Sequence, residues 1–347
     1  MLRRSARSSE CRHVADLNCP SGLSRQHAGA PAPDPVNSFQ GKILVIRGGA
    51  IGDFILTLPA ITALRRQFPQ AHLEVLGYPH IAQLAMAGGL VNRVQSIEAG
   101  ALAGFFARGG QLAEDLVDYF SEFDLILSYL YAPDGIFRTN VGLCTGAQFI
   151  TGLYRADEAA GLHAAKVYLQ PLERLAIFDA DPVPRLTLTP RPLSISPQPS
   201  ALNPLALHPG SGSERKNWPE PKWAELLRHL TDSTGFDLLV VGGEAEGDRL
   251  QRLAAPLPPA RSQVAQSLPL AELAHRLAGC RAFIGHDSGI AHLAAAVGLP
   301  CLVLWGETAE EIWRPPGERV VVLRHPDGLA QLPVAEVAEQ LRGLLVQ

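Results

Sequence analysis

The sequence predicts an α/β protein built from two doubly wound parallel-sheet domains that face each other across a cleft. Three observations predict it. Uninterrupted runs of Ile, Leu and Val alternate with helical patterns from Lys42 onward, a Pro-crowded stretch then breaks the alternation, and beyond it the same alternation begins again. Strands that are apolar throughout, set between helices, belong to parallel sheets covered on both faces. A chain of 347 residues that is 47% hydrophobic can bury two such cores.

In the first unit, "KILVIR" reads as a strand, "GGAIGD" as a Gly-rich turn and "FILTLPAITALRRQF" as a helix that Pro59 should kink or delay. "AHLEVLG" is a second strand, "HIAQLAMAGG" a helix and "FDLILSYL" a later strand. In the second unit, "PLALHPG" is a strand entering a turn, "PEPKWAELLRHLTDSTG" a helix, "FDLLVVGG" a strand, and "LAELAHRLAGC" a helix before the strand "RAFIGHD". The stretch "FIGHDSGIAHLAAAVGLPCLVLWG" is strand, polar turn, short helix and strand, and "LPVAEVAEQLRGLLVQ" closes the chain as a helix. The expected divisions are a disordered tail over residues 1–40, a first domain over 41–165, a Pro-rich linker over 166–203 and a second domain over 204–347. A misplaced start codon is the other reading of the tail, whose Arg and Ser content faintly resembles a transit peptide.

Composition excludes several classes of function. No apolar run approaches the roughly 18 residues that span a bilayer. A net charge of -4 offers no broad basic surface for nucleic acid, although a compact anionic ligand remains compatible with it. Cys11, Cys19, Cys144, Cys280 and Cys301 are odd in number and show no metal-finger spacing, which fits a reducing cytoplasm and neither a disulfide framework nor structural zinc.

The candidate chemistry lies in turns after strands, where open parallel sheets gather ligands. In "HDSGIAHLAAAVG", Ile290, Leu293, Ala294 and Val297 form the core stripe and His292 lies off it. Asp287 or Ser288 can cap the helix, and the amides from Gly289 onward make an anion site reinforced by the helix dipole. Gly289 would let a phosphate approach the backbone closely; the alternative is a capped helix with an exposed histidine. In "HPGSGSERKNWP", Gly210 and Gly212 permit unusual dihedrals, Ser211 and Ser213 offer hydroxyl donors and Lys216 offers a point charge. The same residues also suit a solvated loop.

Glu244, after the next strand, is placed either to accept ribose hydroxyls or to open a helix with negative charge. In "RGGAIGDF" the dinucleotide fingerprint fails because Arg47 stands at its first glycine position, which leaves an NAD-binding oxidoreductase as an alternative only. Asp53 sits at that strand-to-helix junction, as a cleft-facing acid or as a cap. His208 and His286 read as satisfied strand-end histidines or ligand contacts, and no ligand spacing points to a metal. Trp218, Trp223, Trp305 and Trp313 read as packing residues, with Trp305 and the following "GET" at another strand end that can border a ligand.

Together, "ILVIRGGAIGDFILTLPAITALRRQFP", "HPGSGSERKNWP" and "HDSGIAHLAAAVGLPCLVLWGETAEEIWRP" resemble glycosyltransferase family 9, the family of the ADP-heptose:lipopolysaccharide heptosyltransferases. The resemblance runs over about residues 42–343. It implies a GT-B fold of two Rossmann-like domains, acceptor on the first and nucleotide-sugar donor on the second, with a closing helix that crosses back to the first. It implies single displacement with inversion, no cofactor and no required metal. The family's proposed base falls on Asp53, its phosphate-binding lysine on Lys216, its hydroxyl-bearing position on Ser211 and its ribose-binding glutamate on Glu244. Its D-[ST]-G-x-x-H turn falls on Asp287, Ser288, Gly289 and His292, with Gly212 and Ser213 in the donor turn. "GET" departs from the usual G-P-T, which puts contacts near Glu307 in question. The implied partners are a nucleotide-sugar donor and a lipid-linked oligosaccharide acceptor. The implied place of work is the cytoplasm, at the inner face of the cytoplasmic membrane, where Arg65 and Arg66 either aid a peripheral contact or simply end a helix. A nucleotide-sugar epimerase shares this architecture, and a non-catalytic nucleotide-binding protein is the remaining alternative.

Overall fold

A computed structural model describes residues 39–98, 100–188 and 203–346. The tail expected over 1–40, apart from Phe39 and Gln40, lies outside the described residues, as does the Pro-rich stretch from 189 to 202.

The first unit runs β1 (Lys42–Arg47), α1 (Ile51–Gln67), β2 (His72–Gly77), α2 (Pro79–Ala87), β3 (Arg93–Ser96), α3 (Glu114–Ser121), β4 (Leu125–Ser128), α4 (Ile136–Gly142), β5 (Gln148–Thr151) and α5 (Ala164–Leu169). The second runs β6 (Leu205–His208), α6 (Glu220–Ser233), β7 (Leu238–Gly242), α7 (Arg249–Ala254), β8 (Ser262–Gln266), α8 (Leu270–Ala278), β9 (Ala282–His286), α9 (Gly289–Ala296), β10 (Cys301–Leu304), α10 (Glu310–Trp313), β11 (Val320–Leu323) and α11 (Val334–Val346). The five strands of the first sheet follow the order β3-β2-β1-β4-β5, and the six of the second follow β11-β10-β9-β6-β7-β8. Every pairing is parallel. In each sheet the order reverses beside the first strand, between β1 and β4 and between β6 and β9. The crevices beyond those strand ends are the expected binding positions.

Strand alternation sorts the core into layers. Ile43 and Val45 of β1, Ala206 of β6 and Cys301 and Val303 of β10 belong to one apolar cluster that runs through both units. Leu44 and Ile46 point to the other face of the first sheet, into a cluster with Phe120 and Phe137. Leu205, Leu302 and Leu304 point to the far face of the second, against Trp218 and Trp223.

The shared layer explains α1, which is apolar nearly all round: Phe54 through Ile61 are buried without a break. Such a helix must be covered on every side. Pro59 does not interrupt it, since α1 is continuous over Ile51–Gln67 with the ring buried inside. The lost amide costs one intrahelical bond, which the surrounding core offsets.

Two expectations need correction. The closing helix α11 does not cross back: Val337, Leu341 and Leu344 pack with Trp223 and Leu226 in the core of the second unit. The span read as linker opens inside α5, whose Tyr168 is fully buried in the shared layer.

The two units meet most closely where the first turns of α1 and α9 abut. A Cβ on Gly289 would lie 2.6 Å from Ile51 Cβ and 3.0 Å from the Gly52 amide nitrogen, and one on Gly52 would lie 3.3 Å from the His292 ring. The glycine at 289 is therefore required by the neighbouring helix, not only by a ligand's approach. Around this point, Trp313 Nε1–H donates to Glu158 Oε1 (2.8 Å), Arg155 lies 5.2 Å over the Trp313 ring, and the Leu186 amide donates to the Ala296 carbonyl (2.8 Å). His163 Nδ1 accepts from the Ala165 amide, so Nε2 carries the proton donated to the Arg314 carbonyl at 2.9 Å.

Gly289→Ala should destabilise the protein by about 1–3 kcal/mol, the usual cost of overpacking. Chemical denaturation would show it as a lower midpoint with an unchanged slope; an unchanged midpoint would mean that the helices part freely.

Candidate active site

The turns at the two reversal points open into a single cavity of about 840 Å³. The first unit contributes the turn after β1, the first turn of α1 and the segments after β4 and β5; the second contributes Ser211, Lys216, Asp287, Ser288, Gly289, His292, Thr308 and Trp313. Asp53, Lys216, Ser211, Asp287, Ser288, Gly289 and His292 are thus brought together. Gly212, Ser213 and Glu244 are not among the lining residues.

Asp53 occupies the third position of α1, not its cap. Its Oδ2 accepts from the Ala50 amide (3.2 Å), which supplies half of a capping box, since Ala50 has no side-chain acceptor to return the bond. Its Oδ1 accepts from the Tyr168 hydroxyl (3.4 Å) and lies 3.7 Å from the Arg47 guanidinium. Burial holds the Tyr168 hydroxyl above its ordinary pKa, so it serves Asp53 as a donor. Arg47 is itself 2% exposed; it stacks 4.5 Å over the Tyr168 ring and donates to the Tyr154 carbonyl at 2.7 Å. Asp53 remains partly exposed to the cavity, so its carboxylate is anchored from behind and open in front.

On the opposite wall Ser288, not Asp287, caps α9: its Oγ accepts from the Ala291 amide at 3.3 Å. The Ala291 amide is thereby committed, which leaves Gly289 and Ile290 amides without a partner among the described residues. The Asp287 carboxylate instead accepts from Lys216 Nζ and Thr308 Oγ1, each at 2.6 Å. An ammonium has three donors, so Lys216 can hold Asp287 and still reach an anion in the cavity. Ser211 closes its own turn, with Oγ 2.7 Å from Asn217 Oδ1 and 2.9 Å from the Ser213 carbonyl. Gly212 adopts φ +72°, the left-handed conformation that suits glycine, at an exposed position outside the cavity wall.

Three histidines in and behind this wall are buried, and burial lowers the pKa of each. His286 Nε2 accepts from the Trp218 amide (2.8 Å), which leaves Nδ1–H to face the Gly210 carbonyl (3.2 Å), and burial pushes its pKa down to about 3. His208 Nδ1 accepts from the Ser288 hydroxyl (3.3 Å), with Nε2 turned toward Glu246 (3.9 Å), and burial lowers its pKa to about 4. His292, 5% exposed where the helical pattern left it off the core stripe, is also lowered to about 4 by burial, against the opposing pull of Asp287. Its Nδ1 has no partner among the described residues, and it lines the cavity. His208 and His286 are frame, not ligand contacts.

Glu244 is exposed, and the inward carboxylate of that loop is Glu246, which accepts from the Gly243 amide. Arg65 is spent on the Leu90 and Ala71 carbonyls and on Asn92. Among the described residues, no group of three His, Cys, Asp or Glu side chains is placed to hold a metal ion, and no helix is long and apolar enough to cross a membrane. Sequence reasoning missed Tyr168, Thr308 and the use made of Arg47. Thr308 belongs to the noted "GET" and Arg47 to the failed fingerprint, whereas Tyr168 carried no local signal.

Two facing parallel-sheet domains with a shared cavity define the GT-B architecture of nucleotide-sugar enzymes. The sequence profile described as glycosyltransferase family 9 (heptosyltransferase) matches residues 157–336, just over half of the chain, and the chain belongs to that family. Lipopolysaccharide heptosyltransferase 1 of Pseudomonas aeruginosa is 42% identical over 93 residues, 27% of this chain and 26% of that protein. Lipopolysaccharide heptosyltransferase 3 of Escherichia coli is 23% identical over 294 residues, 76% of this chain and 83% of that protein. The solved structure of E. coli ADP-heptose lipopolysaccharide heptosyltransferase II superposes with a TM-score of 0.70 at 22% identity, covering 88% of this chain and 99% of that one, and shares the fold.

The depressed histidines make stability pH-dependent with a definite sign. An unfolded histidine protonates below about 6.5, while folded His208 and His292 resist protonation to about 4 and His286 to about 3. Unfolding therefore takes up protons in that window, and stability falls as pH drops from about 6.5 toward 4. Urea denaturation across that range should show the decline, and replacing His208 with Asn should shallow it; an identical slope in the variant would contradict the assignment.

Proposed function

We propose that the protein is an inverting glycosyltransferase that moves a heptose from an ADP-activated donor to a sugar hydroxyl of a lipopolysaccharide core. The observation that carries the reading is one cavity with an anchored carboxylate on the first domain and a lysine beside a helix N-terminus on the second. Membership in the family and the names of the relatives supply the sugar and the class of acceptor.

The donor diphosphate lies against the second wall. Lys216 and the Gly289 and Ile290 amides carry its charge, and they gain most as the sugar–oxygen bond breaks and the nucleoside diphosphate leaves with an extra negative charge. Asp287 and Thr308 fix the ammonium, and Ser288 fixes the helix end. The acceptor hydroxyl attacks from the opposite face of the sugar and passes its proton to Asp53. Tyr168 and Arg47 orient that carboxylate through Oδ1, and the Ala50 amide holds Oδ2. Opposed attack and departure invert the anomeric centre. No metal enters these steps. Ser211 and His292 line the cavity beside the diphosphate position, whereas Gly212, Ser213 and Glu244 lie outside its lining. A lipid-linked acceptor places this work at the cytoplasmic face of the inner membrane.

Asp53→Asn should lower turnover of ADP-heptose by about a hundred- to ten-thousandfold while leaving ADP affinity nearly unchanged. Lys216→Ala should weaken ADP binding in calorimetric titration, by roughly ten- to a hundredfold for a lost charge-assisted bond. Equal losses of turnover and affinity in the Asp53 variant would make that residue a structural cap, and unaltered ADP affinity in the Lys216 variant would remove it from the site.

A further inference from the structure

The two walls of the cavity differ in chemistry. The second domain presents hydroxyl, ammonium and carboxylate groups beside His292 and Trp313, whereas the first sets an aromatic surface beside its charged groups. Tyr131 and Tyr154 meet edge to face with centroids 4.7 Å apart, yet remain 65% and 48% exposed, and Phe106, 43% exposed, lines the same wall. Large aromatic side chains left uncovered beside polar groups mark a ligand surface.

Charge on that wall is balanced, two cations against two anions. Its lining cations are Arg47 and Arg155 and its anions are Asp53 and Glu98. Arg47 is bound to the Tyr154 carbonyl and faces Asp53, and Arg155 is paired with Glu158 and lies over Trp313. A phosphate or carboxylate on the incoming molecule would find there, among the described residues, only Arg155 with N–H donors to spare, and would have the unpaired Glu98 as a neighbour. An uncharged sugar ring fits better: its C–H face carries slight positive charge and suits the negative face of an aromatic ring, while its hydroxyls stay in water.

We propose that Tyr131 and Tyr154 form a stacking platform for an uncharged sugar ring of the acceptor, and so determine which acceptor residue is glycosylated. The inference rests on the transfer reading above and narrows its substrate class. The platform is also tied to the base. Arg47 donates one guanidinium nitrogen to the Tyr154 carbonyl and sets the other 3.7 Å from Asp53 Oδ1, so the stacking surface and the proton acceptor share one buried anchor.

The test is saturation-transfer NMR on the full chain, with a methyl heptoside and its phosphomonoester as probes and ADP titrated into the same samples. The methyl heptoside should receive saturation at its ring C–H protons and bind with little dependence on salt. Tyr131→Ala and Tyr154→Ala should each weaken it about two- to tenfold, Tyr131→Phe should retain it, and ADP affinity should be unchanged in all three. Tighter, salt-sensitive binding of the phosphomonoester, or heptoside binding that ignores both alanine substitutions, overturns the platform. ADP affinity that persists in such a result leaves the transfer reading standing, so the two fail separately.

Discussion

The close contact of the first turns of α1 and α9 is the constraint on which the site depends. Each helix begins at the reversal point of its own sheet, and each must bring its N-terminus to the cleft for the cavity to have two working walls. Glycine at 52 and 289 is what lets them touch, because a methyl group at 289 would fall within 2.6 Å of Ile51 Cβ. The apolar layer behind this contact then covers α1 on every side from Phe54 to Ile61, which accounts for the hydrophobicity of that stretch.

Bringing two helix N-termini together has an electrostatic consequence. Their dipoles present like partial charges to each other, and Arg47 and Lys216 add two full positive charges nearby. Asp53 and Asp287 offset them, each held by donors from its own domain or by the facing cation. An anion entering between the walls meets a field already arranged for it, with little reorganisation needed. The neutral histidines serve the same end: His286 ties the turn after β6 to β9, and His208 holds the Ser288 hydroxyl. Both act by fixed hydrogen bonds, not by titration at neutral pH.

The doubly wound architecture was legible because central strands are buried on both faces and therefore spell uninterrupted apolar runs, as in β1, β6 and β9. The edge strands β3, β5 and β8 were missed for the converse reason: "RVQS", "QFIT" and "SQVAQ" are half exposed and carry polar residues. Asp53, Lys216 and the Asp287 turn were legible as residues after strand ends. Their partners were not, since Tyr168 reaches Asp53 from 115 residues away and Thr308 reaches Asp287 from 21. Glu244 shows the limit of reading position alone, because two residues decide which carboxylate of that loop turns inward and the pattern does not distinguish Glu244 from Glu246. The closing helix followed its amphipathic stripe onto the nearest exposed core, that of its own domain.

The central claim is that the wall built by Lys216, Asp287 and the start of α9 receives the diphosphate of an adenosine nucleotide. Calorimetric titration of the full chain with ADP, UDP, GDP and NAD, each with and without magnesium, addresses it directly. ADP should bind selectively over the other three, with or without magnesium. Tight NAD binding with weak ADP binding would contradict it.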